Sequence, residues 1–203
     1  MPEVLLATRN SHKLREVREL LAGTAYTVVS MADLEGIPEI IEDGDTFEAN
    51  ADKKARTLAQ LTGRVAVSDD SGIEIDALGG APGVYSARFA GVEGEGADDA
   101  NNRLMIERLH GVPEAARTAR YRCVLAIVTP QGEARYTDGS VEGRIVDAPR
   151  GHNGFGYDPH FAVLGDPAGR TMAELSPDEK NAISHRGKAL RNLLPLLDEL
   201  VGR

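Results

Sequence analysis

Apolar and polar positions recur along the chain with two periods, one typical of strands and one typical of helices. The short apolar run at 3–7 (EVLLA) predicts a buried strand, and apolar residues at 14–21 then recur at helical spacing. Ser11 is the predicted N-cap of this helix and Gly23 its predicted end. A second apolar run at 26–31 (YTVVSM) completes a β-α-β opening.

The middle of the chain repeats the alternation of helix and strand. A helix is predicted between Thr46, its N-cap, and Gly63, its terminator, because its apolar residues form one stripe. The run at 64–68 (RVAVS) predicts a strand that ends at two adjacent aspartates. The segment at 73–76 (IEID) predicts a second short strand, and 98–111 predicts another helix.

The last third combines strands with a capped helix. Residues 119–129, 133–140 and 141–148 predict antiparallel strands, the first two joined by the turn PQG. Ser176 and Glu179 form a predicted capping box at the start of the final helical segment. Together these elements predict an α/β (mixed α+β) fold, with a central mixed β-sheet flanked by helices. No stretch has the composition of an interdomain linker.

Composition and charge then limit the kinds of partner. The chain has 203 residues and a formal net charge of −9, which argues against a non-specific nucleic-acid binder but not against a small phosphate ligand. Cys123 is its only cysteine, so an internal disulfide is excluded and a reducing cytoplasm is the expected compartment. The apolar run at the N-terminus is too short for a signal peptide, and no membrane association is expected.

The turn after the first strand (TRNSHK, 8–13) has the features of an anion site. A helix N-terminus presents backbone N–H groups there, and Thr8, Asn10 and Ser11 add polar side chains while Lys13 adds a positive charge. An ordinary capped helix with a solvated lysine would have the same sequence, so the turn by itself leaves both interpretations open.

Carboxylates from separate segments indicate a magnesium site. The acidic turn at 42–45 precedes a helix, and Asp69 and Asp70 follow an apolar strand. Mg²⁺ takes one or two carboxylates together with waters and substrate phosphates, and one carboxylate could also orient or deprotonate a water. Lys53 and Lys54 point about 100° apart on the following helix, so we expect at most one of them to face such a site.

Two later segments could recognise a planar base. In GFGYD (154–158), two glycines around a phenylalanine allow close backbone approach and ring stacking, and Asp158 could accept from ring N–H groups. In EKNAISHRG, Lys180 precedes the adjacent donors His185 and Arg186, which suit carbonyl or phosphate oxygens. On a straight helix Lys180 and His185 would lie about 140° apart, so a shared ligand requires a bend or break near Gly187.

These pieces together resemble the inosine triphosphate pyrophosphatase family, in particular its bacterial branch that acts on dITP and XTP. The matching motifs are LATRNSHKLREVRELL, DGDTFEANADKKA, SDDSGIEIDALGGAPGVYSARFAG, GFGYDPHF and AELSPDEKNAISHRGKAL, which lie in the family's order along nearly the whole chain. Two positions depart from the family pattern: Arg9 stands where TGN has its glycine, and His12 stands where a GK pair has its glycine.

The resemblance implies a fold and a reaction. It implies one nucleoside triphosphate pyrophosphatase domain over 1–203, elongated, with two lobes and a cleft between them, and a homodimer in the cytoplasm. The implied reaction is Mg²⁺-dependent hydrolysis of purine nucleoside triphosphates to the monophosphate and pyrophosphate. The implied bases carry a 6-oxo group, as hypoxanthine and xanthine do, and the implied role is to cleanse the nucleotide pool of deaminated purines.

The resemblance also assigns residues to three roles. The implied substrate-binding residues are Thr8, Arg9, Asn10, Ser11, His12, Lys13, Ser71, Phe155, Gly156, Tyr157, Asp158, Lys180, His185 and Arg186. The implied catalytic residues are Asp70, Asp69 and Lys54, and the implied metal ligands are Asp70 and Glu42. Either Asp69 or Asp70 would orient the attacking water, and either His185 or Arg186 would donate to the 6-oxo group.

Three other functions fit part of the sequence. One is a pyrophosphatase for pyrimidine or other modified nucleotides, although GFGYD and SHR favour a purine. Another is a nucleotide-binding module without turnover, which would not need the acidic pair. The last is a phosphatase that releases orthophosphate instead of pyrophosphate.

Overall fold

The computed structural model describes residues 3–201 and contains a mixed β-sheet with helices. In this part of the chain the sheet has six strands in the order β2-β1-β3-β4-β5-β6. The strands are β1 (Glu3–Leu6), β2 (Thr27–Ser30), β3 (Ala66–Ile75), β4 (Thr118–Val128), β5 (Ala134–Ile145) and β6 (Phe161–Val163). Strand β1 runs parallel to β2 and to β3, whereas β5 and β6 are antiparallel. The predicted mixed α/β fold is therefore confirmed.

Most predicted helices occur with the predicted caps. The helices are α1 (Ser11–Leu21), α2 (Phe47–Thr62), α3 (Ala97–Arg108), α4 (Pro177–Ile183) and α5 (His185–Val201). Thr46 accepts from the N–H of Ala49, and Gly63 ends α2 with a φ of 66°. Ser176 and Glu179 form the predicted capping box at α4. No helix within 3–201 is long and apolar enough to cross a membrane.

The chain divides into two compact units, each with its own apolar core. Of the described residues, the first unit contains 3–70, 123–139 and 186–201, and the second contains 71–122 and 140–185. The first core includes Leu6, Val17, Val67, Leu125, Ile127, Leu190, Leu193 and Leu197. The second core includes Ile73, Ile75, Met105, Leu109, Tyr121, Ile145, Phe161, Met172 and Leu175.

Three local predictions were wrong. The acids Asp69 and Asp70 lie inside β3 and do not end it, since 64–68 and 73–76 belong to one continuous strand. Likewise 133–140 and 141–148 contribute to a single strand, β5. The N-cap of α1 is Asn10, because its side chain reaches the free N–H groups of the first turn and Ser11 is already helical. A break near Gly187 does occur in the final helical segment: it lies three residues earlier, at Ser184, where the backbone is extended (ψ 156°).

The parallel pairing of β1 and β3 places the turn after β1 beside the two aspartates. Leu6 is the register partner of Val67, and Ala7 N–H donates to Val67 O at 2.7 Å. Beyond Leu6 the chain turns, with Thr8 N–H donating to Leu6 O at 2.9 Å, and Lys13 at the start of α1 pairs with Asp69 of β3. The register thus brings the start of α1 and the acids of β3 together within the first unit.

Candidate active site

The turn between β1 and α1 is held by its own side chains. Asn10 Oδ1 accepts from His12 N at 2.9 Å and from Lys13 N at 3.1 Å, while Thr8 Oγ1 accepts from Asn10 N at 3.2 Å. Arg9, at the departure from the family's glycine, donates to Ile37 O at 2.8 Å. Two of the predicted anion-binding amides are therefore hydrogen-bonded to the N-cap.

A buried ion network lies behind this turn and consists of Lys13, Glu16, Asp69 and Arg186. Asp69 pairs with the ammonium of Lys13 and accepts from Arg186 Nε at 2.8 Å, and Arg186 also pairs with Glu16. Burial alone would raise the pKa of Asp69, but the charges of Arg186 and Lys13 outweigh it and hold this pKa well below its usual range. Asp69 is therefore a permanently charged structural acid with both oxygens engaged.

Asp70 has very different surroundings, although it is the next residue. It belongs with Glu42 and Lys54 to a carboxylate cluster, in which Lys54 Nζ lies 3.0 Å from Glu42 Oε2 and 3.5 Å from Asp70 Oδ1. The other oxygen, Asp70 Oδ2, is buried and accepts no hydrogen bond from any described residue. A buried acceptor without a donor is costly, so this oxygen is the atom of the cluster that is ready for a ligand.

Helix α2 supplies Lys54 and Asn50, which hold the carboxylate cluster in place. Lys54 Nζ donates to the backbone oxygen of Asp69 at 2.8 Å, which leaves its remaining hydrogens for the acids. Lys53, by contrast, pairs with Asp43 at 2.6 Å on the exposed side of the helix. Asn50 accepts from Gly44 N at 2.8 Å and hydrogen-bonds to Asp70, so it ties the acidic turn to β3. One lysine of the pair therefore faces the acids, as the helical angle requires.

The electrostatics of Asp70 bring its pKa closer to neutrality than that of an exposed aspartate. Burial raises the pKa of Asp70 to about 6, with the charge of Glu42 adding to the effect and Lys54 and Lys13 opposing it. Burial also acts on Glu42, but Lys54 outweighs it and lowers the pKa of this acid. A carboxyl with a pKa near neutrality can both hold and release a proton, which suits a general base.

The raised pKa of Asp70 predicts a pH dependence of stability in EDTA. Its folded pKa exceeds the value of 3.8 that holds when the chain is unfolded. The stability contributed by the protonated acid is therefore complete below about pH 4 and is lost as the pH rises through 6. Relative to Asp70→Asn, the free energy of unfolding of the wild type should fall by about 2 kcal/mol over this interval. Urea unfolding at several pH values measures it, and a difference that is constant with pH would contradict the prediction.

The second unit contains a loop cluster formed by Phe155, Asp158 and Lys180. Lys180 Nζ donates to Asp158 Oδ2 at 2.7 Å and lies 5.1 Å from the centre of the Phe155 ring. The same oxygen accepts from Phe155 N at 3.0 Å. Asp158 is 3% exposed, so these bonds form away from bulk water and fix the loop strongly.

Two glycines of this loop are needed for its geometry. A Cβ on Gly154 would lie 2.0 Å from Asp158 Oδ2, and Gly154 has a φ of 79°. Gly156 is held from both sides by α3, since its N–H donates to Asp98 at 2.8 Å and its carbonyl accepts from Asn102 at 2.9 Å. Tyr157 donates its hydroxyl to Ser86 O at 2.8 Å. The chain therefore presents Phe155 from a loop that is restrained on every side.

The adjacent donors His185 and Arg186 belong to different clusters. The His185 ring stacks on Tyr121 within the second unit, with ring centres 4.8 Å apart and planes 9° from parallel. Arg186, in the first unit, is 1% exposed and belongs to the buried ion network. The break at Ser184 separates Lys180 on α4 from His185 on α5.

The sequence singled out most of these residues but missed several that hold them. Thr8–Lys13, Glu42, Lys54, Asp69, Asp70 and Arg186 lie in the first unit, and Ser71, Phe155–Asp158, Lys180 and His185 lie in the second. Ser11 and His12 are exposed at the start of α1, and Ser71 is half-buried in β3. The missed residues are Glu16, Asn50, Asp98, Asn102 and Tyr121. A polar residue in the apolar stripe of a helix, such as Asn50, is the signal that could have revealed one of them.

Comparisons with known proteins agree over nearly the whole chain. A model described as the Ham1 family matches residues 4–196. A dITP/XTP pyrophosphatase of Bacillus licheniformis is 50% identical over 199 residues, which cover 98% of this chain and 100% of that protein. A solved structure of a HAM1 protein from Coxiella burnetii has a TM-score of 0.86 and 43% identity, covering 98% of this chain and all of that one. A solved structure of a nucleoside-triphosphatase / dITP/XTP pyrophosphatase from Mycobacterium abscessus has a TM-score of 0.76 and 45% identity, covering 95% of this chain and 99% of that one.

Proposed function

The chain belongs to the Ham1 family, and from this premise we propose that it hydrolyses deaminated purine nucleoside triphosphates, dITP and XTP among them, to the monophosphate and pyrophosphate. The observation that carries the proposal is the buried, unpartnered oxygen of Asp70 beside Glu42 and Lys54. A nucleotide-binding module without turnover has no use for such an acid. Removal of these nucleotides before a polymerase can use them is the corresponding cellular role.

The carboxylate cluster fits a hard divalent cation such as Mg²⁺. Asp70 Oδ2 accepts no hydrogen bond within the described chain, and Glu42 supplies a second carboxylate. Residues 3–201 contain no group of three or more acids, histidines or cysteines that could hold a metal by themselves. Mg²⁺ is commonly bound by one or two carboxylates, with waters and substrate phosphates as its other ligands, so Asp70 and Glu42 suffice. When bound, Mg²⁺ would offset phosphate charge and lower the pKa of a water.

The residues of the first unit account for the hydrolytic step. Asp70 orients a water and accepts its proton while the water oxygen attacks the α-phosphorus. The bond from the α-phosphorus to the bridging oxygen breaks, and the electron pair leaves with pyrophosphate. Lys54 and Lys13 offset the charge that develops on this leaving group. Asp69 holds Lys13 in place and takes no direct part in proton transfer.

The residues of the second unit account for recognition of the base. Phe155 presents a ring for stacking, with Lys180 and Asp158 fixed beside it. We assign the donation to the 6-oxo group to His185, because Arg186 is 1% exposed and its charge already serves Asp69 and Glu16 in the buried ion network. Adenine presents an amino donor at the same position, which would leave two donors facing each other. A site built around such hydrogen bonds can reject the mismatch by roughly 10⁴-fold.

A panel of four substrates tests this function. We expect pyrophosphate release from dITP and XTP in Mg²⁺ with a kcat/KM at least about 10³-fold above that for dATP, and none with EDTA. Guanine carries a 6-oxo group as well, so the rate with dGTP measures whether the 2-position of the base is also recognised. The products are separated by anion-exchange chromatography. Orthophosphate as the product would indicate a phosphatase. If pyrimidine triphosphates were hydrolysed as fast as dITP, the enzyme would not be specific for purines.

Assembly and location complete the proposal. The resemblance to the family supports a homodimer, and a single, buried cysteine suits a reducing cytoplasm. The mass measured by sedimentation of the protein used for the substrate panel tests the homodimer, because a dimer has twice the 21.7 kDa of one chain. A mass of one chain at micromolar concentration would contradict it.

A further inference from the structure

Tyr121 on β4 is a buried residue of the second unit that the proposed mechanism does not use. Its side chain is 7% exposed and lies in the core of that unit. Alternating positions of β4 point to the same side, so Tyr121 shares its side of the strand with Ala119 and Cys123, both fully buried. Packing would be sufficient to explain an apolar side chain at this position, but it does not explain a phenol.

The phenol contacts two residues of the base-recognition set at once. Its ring stacks on the His185 ring, with centres 4.8 Å apart and planes 9° from parallel. Its hydroxyl hydrogen-bonds to the carboxylate of Asp158. On its other neighbour, Phe161, the ring packs at 4.6 Å with a tilt of 48°, which fixes the plane of the phenol itself. Tyr121 therefore connects a ring donor from α5 with the acid that holds the loop cluster.

The phenol is a stable donor in this position. Burial and the Asp158 carboxylate together raise the pKa of Tyr121 well above its usual value, so the hydroxyl keeps its proton at physiological pH. Asp158 Oδ2 already accepts from Lys180 and Phe155, so the phenol adds a third donor to one carboxylate. An acid held by three donors has little rotational freedom, and the loop that carries Phe155 is restrained with it.

We propose that Tyr121 is a positioning residue for base selection, which sets the plane of the His185 ring through stacking and fixes Asp158 through its hydroxyl. The inference rests on the proposed function, because it assigns Tyr121 a role in the discrimination of 6-oxo from 6-amino purines. Stacked aromatic rings keep their relative orientation better than a ring packed on an aliphatic chain, since the offset geometry is energetically preferred. A histidine whose ring plane is fixed presents its N–H in one direction only.

Two substitutions separate the hydroxyl from the ring. Tyr121→Phe keeps the stacking and removes the bond to Asp158, and we expect it to raise KM for dITP about fivefold to tenfold with kcat changed by less than about twofold. Tyr121→Leu removes both contacts, and we expect it also to lower the ratio of kcat/KM for dITP over dATP by about tenfold or more. Steady-state pyrophosphate release measures both quantities.

Tyr26 provides a matched control in the first unit. It is 8% exposed, belongs to an apolar core and donates its hydroxyl to the carboxylate of Asp198. Tyr26→Phe and Tyr26→Leu therefore remove equivalent packing and an equivalent hydrogen bond outside the base-recognition set. We expect these variants to lose a similar amount of thermal stability and to keep the wild-type KM and the wild-type selectivity.

The outcomes distinguish the role of Tyr121 from the proposed hydrolysis of dITP. A wild-type enzyme that selects dITP, together with Tyr121 variants whose KM and selectivity stay within twofold of it, overturns the inference and leaves the proposed function standing. A wild-type enzyme that does not release pyrophosphate from dITP overturns both. If Tyr121→Leu fails to fold, the KM and selectivity of Tyr121→Phe decide, because this variant keeps the packing of the core.

Discussion

Asp70→Asn should lower kcat for pyrophosphate release from dITP by at least about 10³-fold. General-base catalysis by a positioned side chain contributes about 10²–10⁴-fold, and the amide can neither accept the proton nor ligate Mg²⁺ as a carboxylate does. The same substitution removes a charge that is buried and opposed by Glu42. We therefore expect its midpoint of thermal unfolding in EDTA at neutral pH to equal or exceed that of the wild type.

Asp76→Asn is the matched control for this loss of activity. Asp76 follows β3 and is bound by Thr118 and Arg120 on an exposed surface of the second unit. Removal of its charge should leave kcat within about twofold of the wild type, since exposed ion pairs contribute little. The assignment of Asp70 fails if its asparagine variant keeps more than a tenth of the wild-type kcat.

Asp69→Asn should produce the opposite pattern, with a large loss of stability. The substitution leaves Arg186 and Lys13 beside a neutral amide, and Arg186 is 1% exposed. Removing one partner from a buried ion network costs about 3–5 kcal/mol, because a charge remains without compensation in a medium of low dielectric. We expect a decrease of this size in the free energy of unfolding, measured with urea at pH 7.

An exposed ion pair gives the comparison for Asp69. Glu114 Oε1 lies 3.5 Å from Arg144 Nε, and both side chains are about half exposed. Glu114→Gln should therefore change the free energy of unfolding by less than about 1 kcal/mol. A loss at Asp69 as small as this would mean that the network does not stabilise the fold. In that case the low pKa of Asp69 would need another explanation.

The opposite expectations for two neighbouring acids follow from the geometry of a strand. Successive side chains of β3 point to opposite faces, so Asp69 faces the buried ion network while Asp70 faces the carboxylate cluster. The charge repulsion of an isolated pair is avoided because each acid has its own cations. This division explains why the strand continues through two residues that strands generally disfavour.

Local signals predicted the elements whose ends depend on a few neighbouring residues. The cap at Thr46 and the capping box of Ser176 and Glu179 each join atoms within one turn, so the sequence pattern contains the whole interaction. The end of the strand at Asp69 could not be predicted in this way. Its stabilising partner Arg186 lies 117 positions further along the chain, and periodicity carries no information about such a contact.

The sequence predicted which residues belong to the site more fully than it predicted the surroundings of each one. Residue types and motifs selected the acids, the lysine and the aromatic loop, and the resemblance favoured Asp70, but the sequence does not show how differently the two aspartates are surrounded. That distinction depends on burial and on one oxygen that accepts no hydrogen bond within the described chain, and both are tertiary properties. Nothing in the predicted strand at 119–129 distinguishes Tyr121, because its contacts with Asp158 and His185 come from segments more than thirty positions away.

The asparagine cap of α1 has a consequence for inhibitor design. Asn10 Oδ1 already occupies the amides of His12 and Lys13, so a phosphate mimic that takes these amides only exchanges one acceptor for another. Such an exchange yields far less affinity than a new hydrogen bond, because the asparagine must then be resolvated. An efficient compound would leave the cap intact and direct its anionic groups to Lys54 and to a divalent cation that Asp70 would hold through its buried Oδ2.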